Sequence, residues 1–442
     1  MNESMLKNSV ILRMVIVAAL TLLLLIPTLF IDFLVSERQH TRDSAITEVS
    51  QSWGGSQTLT GPILSVPYRE LVEQQKGMFV NTLRYMHFLP SKLTVRSTLT
   101  PEIRYRGIYE VGLYNARMMF EGEFPAPAVE KFNIQSDNIL WQDAFITFGI
   151  SDLKGIRDTV NFQLNQSFHT CEPGVITNDV VESGMTFKIP LANSAGPQAF
   201  SLQINLNGSS EIRFTPVGEI TQVTMESPWG NPSFVGNYLP ETRDITVNQF
   251  HAQWKILNLN RNFPQAWIGN KYKLAESSFG VRLFLAVDEY QKTSRTVKYA
   301  ILFIALTFVS FFLSEVIAKV ILHPIQYSLI GFALIVFYVL LLSISEHVTF
   351  NVAYALSSIA VITLVTFYTR WITLSNRISF VIAGVLVLLY GFLFVTLQLQ
   401  DYALLLGSFG LFLILLLVMY LTRKVDWFVL NKISPGAADQ QR

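Results

Sequence analysis

Cysteine is almost absent from this chain, with Cys171 alone among 442 residues. One cysteine cannot close an intramolecular disulfide, and it excludes a cysteine-based metal cluster. Charge is sparse too: 15% of residues are Asp, Glu, Lys or Arg, and the net is +1. Such a balance supplies no basic face to neutralise phosphates, so nucleic acid is not an expected partner. The six histidines include no HExxH pair, and His169-Thr170-Cys171 is a weak metal signal by itself. Walker A, dinucleotide-binding glycine and GxSxG patterns are missing as well. The residues therefore suggest no cofactor, no metal and no enzyme. A Ser–His–Asp site assembled from distant positions stays open.

Long apolar runs, by contrast, are plentiful. Half of the residues are hydrophobic, and the excess lies mostly in 14–35 and 299–422. Lipid cannot hydrogen-bond a backbone, so such runs are stable there only as packed helices. Each is long enough for a ~30 Å hydrocarbon core, which takes roughly 20 helical residues. The expected spans are 14–35, 299–318, 325–345, 349–369, 378–398 and 402–422, six in all. The first exceeds a signal-peptide core and lacks a small-x-small cleavage site, which makes it an uncleaved anchor. Pro27 is expected to kink it, and Asp32 falls near its outer end.

Between the first two spans lies one large polar region, 36–297. Residues 37–50 lack Gly and Pro and can extend the first helix. After Gly54-Gly55 the texture turns to strands: 63–68, 92–99, 114–124, 186–191, 221–227, 245–256 and the alternating Phe279 to Val287. Asn207-Gly208 suggests a tight hairpin turn. Many short strands with turn signals argue for an all-β, sandwich-like domain. At this length, one sandwich and two lobes are both open.

Orientation follows from Lys and Arg in short loops. With the N-terminus in the cytoplasm, Lys7, Arg13, Lys319, Arg370, Arg377, Arg423 and Lys424 share that side. The short loops near 346–348 and 399–401 then carry no basic residue. Arg38, Arg42, Lys292, Arg295 and Lys298 run against the rule, but long translocated domains are governed poorly by loop charge. The expected organisation is a cytoplasmic tip and first helix (1–35), an external β domain (36–297), a five-helix bundle (298–423) and a cytoplasmic tail (424–442). In a bacterium the external side is the periplasm.

Carboxylates within spans are often functional, which singles out Glu315. The competing reading is an ion pair with Lys319 one turn on. Glu346, His347 and Asp401 either form a polar mouth or mark where spans end. His323, in the turn enforced by Pro324, reads as an interfacial residue rather than a ligand. Ala353 with Ser357 and Ala403 with Gly407 are spaced to let helices approach closely. In the loop 227–240, Trp229, Phe234 and Tyr238 either plug a sandwich corner or form a contact site.

The chain also resembles the CreD family of bacterial inner-membrane, cell-envelope-integrity proteins. The resemblance runs through GPILSVPY (61–68), HFLP (87–90), RGIYEV (106–111), PWGNPSFVGNYLP (228–240), KYAILFIALTF (298–308), LHPIQYSLIG (322–331), FYVLLLSISEH (337–347) and LLLGSFGLF (404–412). It implies a multi-pass inner-membrane protein tied to envelope-stress tolerance, and it brings no catalytic residues with it. The expected partners are the lipid bilayer and periplasmic or envelope proteins, with the oligomeric state open. Transport through polar residues at the bundle mouth is the alternative, and a periplasmic hydrolase is a third reading.

Overall fold

The computed structural model describes residues 10–75, 78–191, 196–283, 289–318, 322–399 and 402–423. It divides into two units: Asp43–Ala286, and Met1–Arg42 together with Val287–Arg442.

The first of these is built from two sheets. One sheet runs β13 (Pro232–Gly236), β17 (Phe279–Leu283), β11 (Glu211–Phe214), β1 (Gln57–Gln75), β5 (Phe145–Ile150), β9 (Gly184–Lys188) and β8 (Glu172–Pro173). Off this path, β2 (Met78–Phe88) pairs with β1, and β16 (Ala266–Ile268) pairs with β2. The other sheet runs β14 (Thr242–Ile245), β15 (Phe250–Leu257), β12 (Ile220–Ser227), β3 (Lys92–Arg106), β4 (Tyr109–Phe124), β10 (Gln198–Ser209), β6 (Asn161–Leu164) and β7 (Ser167–Thr170). Side chains alternate along a strand, so each sheet turns one row inward. Leu93, Val95 and Leu99 of β3 are buried with Ile63 and Val66 of β1 in a single cluster drawn from both sheets. Phe120 of the second sheet meets Phe148 of the first edge-on, with centroids 4.9 Å apart. One continuous core serves the whole β unit.

Two strand-level expectations change. Asn207-Gly208 is not a hairpin turn but strand interior, since β10 continues to Ser209 and β11 belongs to the other sheet. The positive φ falls at Ser210, at 61°. Gly208 is needed for space: a Cβ there would collide with the Tyr114 ring. The run 245–256 is also split, ending β14 at Ile245 and beginning β15 at Phe250.

In the apolar unit the helices are α1 (Val10–Leu23), α2 (Leu25–Trp53, whose residues from Asp43 on belong to the β unit), α3 (Glu289–Lys298), α4 (Ala300–Ala318), α5 (Pro324–Ser345), α6 (Phe350–Thr373), α7 (Asn376–Gln398) and α8 (Ala403–Thr422). The break between α1 and α2 follows from Pro27. Proline lacks an N–H and crowds the carbonyl four residues back, here that of Leu23. Helix α2 runs on through the stretch free of Gly and Pro to Trp53. Length and apolarity suffice for membrane crossing in four helical segments: Leu12–Trp53 (α1 and α2 taken together), Pro324–Ser345, Phe350–Thr373 and Asn376–Gln398. Tyr290–Lys298 and Ala300–Val316, bent by 45°, make a fifth if taken as one span, and Leu405–Tyr420 is a shorter apolar helix. Six spans were expected; among the described residues these measures support four or five.

Helix contacts also sort the small residues. Ala353 and Ser357 are fully buried on α6. Gly407 has open space where a Cβ would stand, so close approach is not its role. Gly331 of α5, packed under Leu24 and Phe308, and Gly410 of α8, packed under Phe392, are close-approach glycines.

Candidate functional site

Glu315 sits near the C-terminal end of α4 and is 4% exposed. Its carboxylate accepts from Arg13 Nη1 at 2.6 Å and from the Tyr327 hydroxyl at 2.9 Å. The Leu322 amide points at the same carboxylate from 3.4 Å. The cation comes from α1, 302 positions away, where the sequence suggested Lys319. Lys319 itself lies outside the described residues. A buried carboxylate is tolerable only when paired and hydrogen-bonded, and this arrangement supplies both. His323 is spent on structure: its Nδ1 accepts from the Ile325 amide, and its own amide donates to Gln326, capping α5.

Glu346 closes the opposite end of α5. It accepts from the Tyr290 hydroxyl at 3.2 Å and lies 3.7 Å from Arg38 Nε. Arg42 stands over the Tyr290 ring at 5.5 Å. Ser294 donates to Asp32 at 3.3 Å. Arg38, Arg42 and Lys292, three of the basic residues that ran against the loop-charge rule, thus meet a carboxylate or an aromatic ring within this unit. His347 is exposed, and Gln398 donates to Asn351 at 2.7 Å. Asp401 lies outside the described residues.

Between these two ends the interior is aromatic and hydroxyl-bearing. Phe303, Phe337 and Tyr354 surround Tyr390, with Phe303 and Phe337 centroids 4.6 and 4.7 Å from it. The Tyr354 hydroxyl donates to the Tyr390 carbonyl at 2.7 Å. Thr307, Tyr338, Ser357 and Tyr390 bury hydroxyls that have no partner among the described residues. Unpaired polar groups are costly in hydrocarbon surroundings.

The aromatic loop of the β unit contains β13, an edge strand. Phe234 packs edge-on against Trp254 at 5.7 Å and Phe250 at 6.2 Å. Tyr238 meets Phe279 at 5.9 Å and donates its hydroxyl to the Asn260 carbonyl. Trp229 donates to the Asn231 carbonyl and packs against the core edge. These three side chains anchor the loop onto the core.

Two constellations in this unit have no local sequence signal. Ser65 and His87 face each other across β1 and β2. Ser65 Oγ lies 2.9 Å from His87 Nδ1, and Asp179 lies 3.3 Å from Nε2. In a catalytic triad the serine contacts Nε2 and the acid contacts Nδ1; the order here is reversed. Ser65 and His87 are also completely buried. The hydrogen bond from His87 holds the Asp179 carboxyl below its ordinary value, against the opposing effect of partial burial. The set acts as a clamp between a loop and the sheet. Arg261, 7% exposed, donates to the carbonyls of Phe263, Val217 and Gly218 and to the Gln265 side chain. Burial pulls its guanidinium down to about 10, so it stays charged near neutral pH. Among the described residues no group of three or more His, Cys, Asp or Glu is placed to hold a metal.

Comparison with known proteins adds two findings. The family model described as "Inner membrane protein CreD" matches residues 9–428. A curated Escherichia coli (strain K12) protein named "Inner membrane protein CreD" is 31% identical over 437 residues, covering 97% of this chain and 96% of that protein.

Proposed function

Because the chain belongs to the CreD family of inner membrane proteins, we propose that it crosses that membrane six times and carries its β unit, a two-sheet sandwich, in the periplasm. Its role on this reading is envelope maintenance, through contact with envelope components or partner proteins and without catalysis. The observation that carries the orientation is the placement of basic residues. Arg370 closes α6 and Arg377 opens α7, at the end of the bundle where Arg13 meets Glu315 between α4 and α5. Basic residues in the short connection between α6 and α7 favour a cytoplasmic location for that end, whereas Arg38, Arg42 and Lys292 flank the long β unit, whose translocation loop charge governs poorly. Support for a non-enzymatic role comes from Ser65, which is buried and bonded to the wrong ring nitrogen for a nucleophile. Compartment reporters fused after Gln203 and after Arg370 test the topology. Opposite compartments are expected, and the same compartment for both overturns it. Turnover of an envelope lipid or peptidoglycan fragment by the purified protein overturns the non-enzymatic part.

The second reading is transport, and the unpartnered hydroxyls inside the bundle favour it. Against it, Glu315 and Glu346 stand at helix ends, away from the midplane where substrate sites usually lie. Replacing both by Gln discriminates: transport collapses, whereas envelope contact survives.

A further inference from the structure

The outer face of the second sheet carries a cleft of about 410 Å³ beside its edge strand β7. Strand register orders its lining into rows. Phe168 of β7 lies opposite Gln163 of β6, which lies opposite Ser201 of β10. In the neighbouring row Gln203 of β10 stands opposite Met119 of β4, and Asn161 of β6 lines the same cleft. Adjacent strands are about 4.8 Å apart, close to the width of a pyranose ring. Among the described residues no Lys, Arg or His lines the cleft; Arg117 and Arg96 stand one strand away, opposite Asn205 and Met119, and Arg96 is paired with Glu121. The cleft's one carboxylate, Asp158, accepts from Asn205 at 2.7 Å, and Asn205 accepts in turn from Asn115 at 2.7 Å. That chain orients the polar floor. Asn161 and Gln203 have no internal partner among the described residues, leaving amide donors and acceptors free for a ligand. Phe168 is 72% exposed. A single exposed aromatic needs no explanation by itself. Standing in register with amides, it adds an apolar platform beside paired donors and acceptors.

From this arrangement we infer that the cleft binds a neutral glycan built of N-acetylated hexosamines. A sugar offers the two surfaces that the cleft provides for. One ring face presents C–H groups that stack on the Phe168 ring. The hydroxyls, and above all the acetamido group with one N–H and one carbonyl, pair with the side-chain amides, which also offer both. Anionic ligands find no cation among the described lining residues, and a purely apolar ligand would strand the amides unpaired. The inference rests on the envelope reading, since it names the chemistry of what the β unit contacts.

The test uses the full chain in lipid nanodiscs, titrated calorimetrically with the tetramer of N-acetylglucosamine. Saturable binding is expected, and the glucose tetramer should bind about tenfold more weakly, a difference of one or two hydrogen bonds. Phe168→Ala should weaken binding about tenfold, the scale of an aromatic contact, with an unchanged melting temperature. Gln203→Ala should weaken it several-fold, and Arg243→Ala on exposed β14 should have no effect. Absence of saturable binding, equal binding of the glucose tetramer, or indifference to Phe168→Ala each overturns the inference. Binding by purified protein does not depend on compartment, so a failure here and a failure of the reporter test are separate results.

Discussion

Removing Arg13 should destabilise the apolar unit far more than its position near the chain start suggests. Arg13→Ala leaves the Glu315 carboxylate, 4% exposed, with one phenol and one amide but no counter-charge among the described residues. Breaking a buried ion pair from one side typically costs about 3–5 kcal/mol. Glu315→Gln differs in kind. Its amide oxygen can still accept from Tyr327, and the Arg13 side chain, 20% exposed, can carry its charge toward water along its apolar stem. About 1–2 kcal/mol is expected for that change, one charge-assisted hydrogen bond. The double variant removes both charges and should lose only about 2 kcal/mol, because no lone ion is left behind. The sum of the single losses exceeds this by about 3 kcal/mol, which is the expected coupling. Reversible unfolding in mixed dodecyl-maltoside and dodecyl-sulfate micelles, followed by far-ultraviolet circular dichroism, measures all three. Losses that add to within about 0.5 kcal/mol would mean that the two residues act independently, and the reasoning would fail.

Three further outcomes follow from the geometry. Tyr338→Phe deletes a buried hydroxyl that has no partner among the described residues, so the variant should be as stable as the parent or up to about 1 kcal/mol more stable. A loss above that in the same micelle assay would mean that the hydroxyl is satisfied. Arg261→Ala should cost about 3 kcal/mol in thermal melts of the full chain, since several carbonyls lose a charged donor. Arg261→Lys should recover only part of this, because an ammonium cannot reproduce the guanidinium fork; full recovery would refute the fork argument. Asp179 titrates below its ordinary value, so its clamp stabilises above about pH 4, the unfolded-state value. That stabilisation is lost as pH falls through the lowered folded value. Asp179→Asn should therefore melt earlier than the parent at pH 6 and converge with it in strong acid. A constant gap across that range would contradict the linkage.

How far the sequence carried the reading differs between the two units. Apolar runs, period-2 alternation and strand-favouring composition are local properties, and they identified the apolar helices and many of the strands, but not β2, β5, β16 or helix α3. Gly208 shows where local signals mislead. Asn-Gly is a turn signal because of its freedom in φ, yet here glycine is required by the Tyr114 ring, a contact across 94 positions. Glu315 was singled out from its position in a span, but its partner could not be, because Lys319 was the nearest cation along the chain. The Ser65–His87–Asp179 clamp joins residues of unremarkable local context, and only strand register sets the first two face to face.

By itself, then, the chain determined its solvents: which stretches must leave water and which must stay in it, since burial of apolar surface is additive along the sequence. The tertiary structure alone decided the partners. Whether a buried charge, hydroxyl or imidazole is satisfied depends on groups within about 3 Å in space, and sequence distance places no limit on where those groups come from.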